Sequence, residues 1–159
     1  MKMKRNWKLL ILCLLIPLAV GGLSALLSME GMKAFSALNQ PPLSPPAWVF
    51  PVAWTILYLL MGLASYLVVM EERETGKRSP ALFYYAAQLV FNFFWSLLFF
   101  RLSAFLLAFF WLVALWVLIL TTLILFFRIR KAAGWLLLPY LLWVGFAGYL
   151  NLGIFLLNR

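Results

Sequence analysis

The chain has 159 residues, 67% of them hydrophobic and only 11% charged, with a mean hydropathy of +1.03. No water-soluble domain of this size could hide that much apolar surface, so the surrounding phase is lipid. A net charge of +9 with no histidine, one cysteine and four acids argues against a histidine-ligated haem, a disulfide, a zinc site, paired-carboxylate catalysis and a histidine triad.

The apolar runs are continuous rather than alternating. In hydrocarbon every backbone polar group needs an internal partner, so these runs predict membrane-spanning helices and not a barrel. The first span covers about 7–27. Lys2, Lys4, Arg5 and Lys8 precede or open it, as in a signal peptide. Its apolar core is long, however, and no clear small-x-small cleavage site follows, so it reads as a retained helix. Gly21-Gly22 allows a close helix approach there, and Cys13 lies inside. The connection 28–46 is by far the longest and leads into Pro41-Pro42-Leu43-Ser44-Pro45-Pro46-Ala47-Trp48. Proline fixes φ and disfavours helix at the residue before it, so this segment reads as a rigid lid, with the next helix beginning near Ala47. Long ordered loops are more often functional than short ones.

In the second span, about 47–70, Trp54, Tyr58, Met61 and Ser65 recur at helical spacing along one face. In the third, 81–100, Gln88, Asn92, Trp95 and Phe99 do the same. The fourth, 104–127, is rich in Leu and Val, and its Trp111 and Trp116 face lipid or neighbouring helices. The fifth, 134–157, carries a kink at Pro139 and then a stripe of Tyr140, Trp143, Ala147 and Asn151. Trp7, Trp48 and Trp135 lie at span ends and read as interfacial anchors. Gly62, Ala64, Gly145, Ala147 and Gly148 serve either dimerisation or packing within one bundle.

The fold class is therefore an all-α integral membrane protein, a bundle of five transmembrane helices forming a single membrane domain over 1–159. Lys2, Lys4, Arg5, Lys8, Arg73, Lys77, Arg78, Arg128, Arg130 and Lys131 fall on one side, and Lys33, Arg101 and Arg159 on the other. That asymmetry places the N-terminus in the cytoplasm, and the lid and C-terminus outside. The basic excess is topological, which removes the case for nucleic acid. All four acids, Glu30, Glu71, Glu72 and Glu74, sit in loops, so no span offers the mid-membrane ionisable group that ion-coupled transporters usually carry.

Amides inside hydrocarbon are costly unless partnered, so Gln88, Asn92 and Asn151 turn inward and the three stripes converge. Two outcomes fit that convergence. One is a cavity with aromatic walls and a few amides and hydroxyls, suited to a flat apolar ligand. The other is helix packing alone, with buried amides bonded between helices.

Pro45-Pro46-x-Trp48 with Trp54 and Tyr58, Gln88-Leu89-x2-Asn92-x2-Trp95 with Phe99-Phe100, and Pro139-Tyr140-x2-Trp143 with Ala147 and Leu150-Asn151 occur in this order. Together with Gly21-Gly22 they resemble the translocator protein (TspO/MBR) family, also called tryptophan-rich sensory protein or peripheral-type benzodiazepine receptor. The likeness runs through all five spans. It implies a five-helix bundle, often a homodimer, with a pocket beneath the loop after the first helix. It also implies a receptor or carrier for porphyrins or other planar hydrophobic molecules, with no resident cofactor or metal.

Carried over by motif, the pocket residues are Trp54, Asn92, Trp95, Trp143 and Ala147; the stripes add Tyr58, Gln88, Tyr140 and Asn151. Lys33 and Arg101 lie on the side where the propionates of a tetrapyrrole would emerge. Light-dependent porphyrin breakdown is the enzymatic alternative, for which Trp54 and Trp143 are the candidates; a structural or regulatory membrane subunit without ligand is the third reading. Two departures stand out. Phe35-Ser36 replaces the family's usual Trp-Tyr, and Gln40-Pro41-Pro42-Leu43 replaces Lys-Pro-x-Trp. The stretch Leu152-Gly153-Ile154-Phe155 lacks the tyrosine of the sterol-recognition motif, so cholesterol is not an expected ligand.

Overall fold

A computed structural model describes residues 4–159; Lys2, counted above among the N-terminal basic residues, lies outside them. The helices are α1 (Trp7–Leu27), α2 (Met29–Phe35), α3 (Val49–Thr75), α4 (Ala81–Ser96), α5 (Phe105–Ile129) and α6 (Lys131–Leu157). A π-helical turn, Leu97–Arg101, prolongs α4. Helices α1, α3, α4 with its π turn, α5 and α6 are each long and apolar enough to cross a bilayer. The protein is thus an integral, multi-pass membrane protein.

Local chemistry sets the helix ends. The side chain of Asn6 caps α1 by accepting from the Leu9 N–H at 3.1 Å. Pro46 O accepts from Val49 N at 3.0 Å, so the chain turns through Ala47 and Trp48 and α3 starts two residues later than the proline run predicts. Pro51 sits in the first turn of α3, where a missing N–H costs nothing. Helix α3 continues past residue 70 because Glu71, Glu72, Arg73 and Glu74 are good helix formers that carry it out of the apolar layer. It stops at Gly76, whose φ of +68° is the left-handed cap that glycine adopts at little cost. Both α1 and α6 run on through an internal proline, Pro17 and Pro139.

Close approaches hold the bundle together. A Cβ on Gly62 would meet Cys13 O at 2.7 Å, so glycine here lets α3 lie against α1. A Cβ on Gly148 would lie 3.0 Å from Leu112 Cδ2, which seats α6 on α5. Ala64 is fully buried. These small residues therefore serve packing within the bundle. Trp111 stacks on Phe91 at 4.4 Å and donates to the Phe91 carbonyl at 2.8 Å; Trp116 donates to the Leu141 carbonyl at 3.2 Å. Both face neighbouring helices. Trp7, Trp48 and Trp135 are exposed.

The connection 28–46 differs from the uniform loop expected of it, because α2 occupies its first part. Met29, Glu30, Met32, Lys33 and Ala34 are adequate helix formers, and Glu30 in the first turn and Lys33 in the last complement the helix dipole. The rest of the lid is strapped to α6. Asn39 N donates to Asn158 Oδ1 at 3.0 Å and Asn158 Nδ2 donates back to Asn39 O at 2.8 Å. Tyr149 donates to Pro42 O at 2.6 Å, and Pro41 packs where Gly153 has no side chain.

Candidate functional site

Beneath the lid, α1, α2, α3, the π turn and α6 enclose a cavity of about 350 Å³, within the range of small-molecule pockets. Trp54 and Tyr58 of α3, Trp95 of α4, and Trp143, Ala147 and Asn151 of α6 line it. Trp54 stacks on Tyr58 at 5.6 Å and lies 6.3 Å from Trp95, while Trp95 stacks on Phe99 at 5.5 Å. The wall is thus a continuous aromatic surface made by three helices.

The π turn contributes Phe99 and Phe100. Its wider coil, closed by Leu102 N to Leu97 O at 2.9 Å, coincides with the seat of α2. Gly31 packs against the Phe100 backbone carbonyl, and Ser28 Oγ donates to Ser96 O at 3.4 Å. Phe35 then reaches Phe50, Phe99 and Phe100 with ring centroids 6.1, 5.8 and 5.7 Å away. Phe35 itself forms part of the cavity wall.

Three residues of the expected site lie elsewhere. Gln88, Asn92 and Tyr140 are buried below the cavity and are joined in a chain of hydrogen bonds. Tyr58 donates to Asn92 Oδ1 at 3.2 Å, Asn92 Nδ2 donates to Tyr140 Oη at 2.7 Å, and Tyr140 donates to Gln88 Oε1 at 2.7 Å. Gln88 Nε2 points at Met61 Sδ, 3.9 Å away. Above this chain, Trp95 Nε1 donates to Asn151 Oδ1 at 3.1 Å, and Asn151 Nδ2 donates to Phe105 O at 2.8 Å. The amides therefore tie α3, α4 and α6 together, and only Tyr58 belongs to both the chain and the cavity. Trp143 Nε1 is buried and, like Tyr85 Oη, has no partner among the described residues.

Sequence reasoning missed Ser24, Ala25, Met32, Ala47, Phe50, Pro51, Ser96 and Leu150, all of which line the cavity. Phe50 had a signal, since it continues the Trp54–Tyr58 stripe one turn back. Ser24 and Ala25 had none, because α1 is apolar all round. Lys33 and Arg101 are both exposed at the lid end. Among the described residues no three His, Cys, Asp or Glu side chains group to hold a metal ion.

The TspO/MBR family profile matches residues 13–157. The tryptophan-rich protein TspO of Chlorobaculum tepidum is 36% identical over 150 residues, 94% of this chain and 95% of that one. A translocator protein homolog of Schizosaccharomyces pombe is 38% identical over 146 residues, covering 91% and 88% of the two chains. The translocator protein of Bos taurus is 33% identical over 123 residues, covering 77% and 73%.

Proposed function

This chain belongs to the TspO/MBR family, and from that premise we propose that it is a membrane receptor or carrier for a planar hydrophobic molecule of the porphyrin class. The observation that carries the reading is the cavity wall, where three indoles and several phenyl rings meet with few free polar atoms. A flat conjugated ring gains most from such a surface, through area burial and stacking. Trp143 Nε1, a buried donor in the wall without a partner among the described residues, would be satisfied by an acceptor on the ligand's edge. A macrocycle is larger than the enclosed space, so part of it would project past Met32, Ala47 and Pro51, the exposed part of the lining. Lys33, the residue after Met32 on α2, is a counter-charge for carboxylates emerging there.

The test is a dark titration of the detergent-solubilised protein with protoporphyrin, following tryptophan quenching and the porphyrin absorption band. Saturable binding is expected in the wild type. Trp143→Phe is expected to weaken it about 2- to 10-fold, the worth of one aromatic contact, with the melting temperature little changed. Equal affinity in Trp143→Phe, or no saturation in either protein, would contradict the reading.

A further inference from the structure

We propose that the cavity opens sideways into the bilayer between α1 and α3, in the lid-side leaflet, and admits apolar molecules from the lipid rather than through the lid. The proposal rests on the cavity's being a binding site, but not on which molecule fills it.

The cavity is walled on its other sides. Towards α6, Phe50 meets Trp143 at 6.1 Å and Trp54 meets Tyr140 at 6.2 Å, closing the seam with α3. Towards α4, the Phe35–Phe99–Phe100 cluster and the Ser28–Ser96 hydrogen bond seal α2 onto the π turn. Above, the strap is fastened to α6 by the reciprocal Asn39–Asn158 pair and by Tyr149.

The α1–α3 seam is different. It is tight at its lower part, where Gly62 meets Cys13 and Leu14 and Gly21 meets the Tyr58 ring. About one turn further towards the lid, Ser24 and Ala25 present only small side chains to a cavity lined across from them by Pro51 and Trp54. The solvent-exposed members of the lining, Met32, Ala47 and Pro51, flank this same gap.

The chemistry of the rim says which phase the gap faces. Leu26, Met29, Trp48 and Val52 stand around it as exposed apolar side chains, and the exposed Lys33, next to Met32, marks its headgroup edge on the lid side. The hydroxyls at its edge are spent internally, Ser24 Oγ donating to Gly21 O at 2.9 Å and Thr55 Oγ1 to Pro51 O at 2.7 Å. A rim of this kind would be costly against water and costs nothing against acyl chains. A solute dissolved in the bilayer therefore reaches the indoles without crossing a polar layer.

The test uses the full chain in liposomes, with Cys13→Ala removing the single native thiol and Ala147→Cys placing a new one in the cavity wall. Two thiol probes are compared, the lipid-partitioning N-hexylmaleimide and a membrane-impermeant trimethylammonium methanethiosulfonate. N-hexylmaleimide is expected to modify Ala147→Cys, and Ala25→Trp to slow that reaction about tenfold by plugging the seam. Ala47→Trp on the facing rim is expected to act likewise, so that misfolding of either variant alone does not decide the matter. Asn158→Ala, which breaks the Asn39–Asn158 pair and loosens the strap, is expected to leave the rate unchanged, and the charged reagent is expected not to react.

Unchanged modification in both plugged variants, no modification by N-hexylmaleimide, or reaction with the charged reagent that speeds up in Asn158→Ala would overturn the lateral route. No porphyrin is needed for this readout. Lateral modification without porphyrin binding would sink the ligand assignment and leave the route standing.

Discussion

Tyr140 illustrates how much one side chain does in a bundle that has no charge at membrane depth. Its hydroxyl accepts from Asn92 and donates to Gln88, both at 2.7 Å, and the residue is only 1% exposed. Removing that oxygen leaves an amide donor and an amide acceptor facing each other across a gap in an apolar interior. Tyr140→Phe is therefore predicted to destabilise the bundle by about 1 kcal/mol, since interhelical hydrogen bonds in membranes are worth little more than that. Thermal unfolding in detergent measures it, and wild-type stability would show that the chain of amides is not needed to hold the helices. Asn92→Ala is expected to act the same way, through stability, because Asn92 is completely buried and does not line the cavity.

Among the elements, the lid is where strand-free, proline-rich sequence becomes a fixed object. One part, α2, is seated on the π turn by rings, and the other is strapped to α6 by the Asn39–Asn158 pair. Asn158→Ala removes both bonds of that pair, leaving Tyr149 as the remaining hydrogen-bonded tether. Hydrogen exchange is predicted to quicken at the Asn39 amide and its lid neighbours in that variant, and to stay unchanged along α3 and α6. Exchange at the lid identical to wild type would mean that Tyr149 and the Pro41–Gly153 contact suffice.

The proline run was legible in advance because its effect is local: it fixed the start of α3 to within two residues. Helix α2 was not, since seven residues with a central glycine carry no periodicity and gain their order from docking on Phe99 and Phe100. The amide stripes show the same division. Helical spacing placed Gln88 and Asn92 correctly in the interior. Whether they faced the cavity or each other depended on the relative heights of α3, α4 and α6, which spacing along single helices does not encode.

Across the molecule, α4, α5 and α6 stay packed along their length, whereas α1 and α3 touch closely at Gly62 and Gly21 and leave the cavity between them on the lid side. Gly62 against Cys13 and Leu14, and Gly21 against the Tyr58 ring, zip α1 to α3 up to the floor of the cavity. Beyond that level the space is held open by large rings and covered by the lid. Below the cavity the Tyr58–Asn92–Tyr140–Gln88 chain crosses an otherwise apolar core, and aromatic rings form the wall around it. This wall is proposed as a binding surface rather than packing.

Ala147 offers the most direct test, because it lines the cavity with a small side chain. Protoporphyrin binding would be titrated in the dark for wild type and Ala147→Trp, alongside a thermal melt of each. Saturable, roughly one-to-one binding is expected for wild type, with at least about a tenfold loss in a still-folded Ala147→Trp, whose indole would occupy the ligand's space. Undiminished binding by that variant would contradict it, because the porphyrin would then be held somewhere other than among Trp54, Trp95 and Trp143.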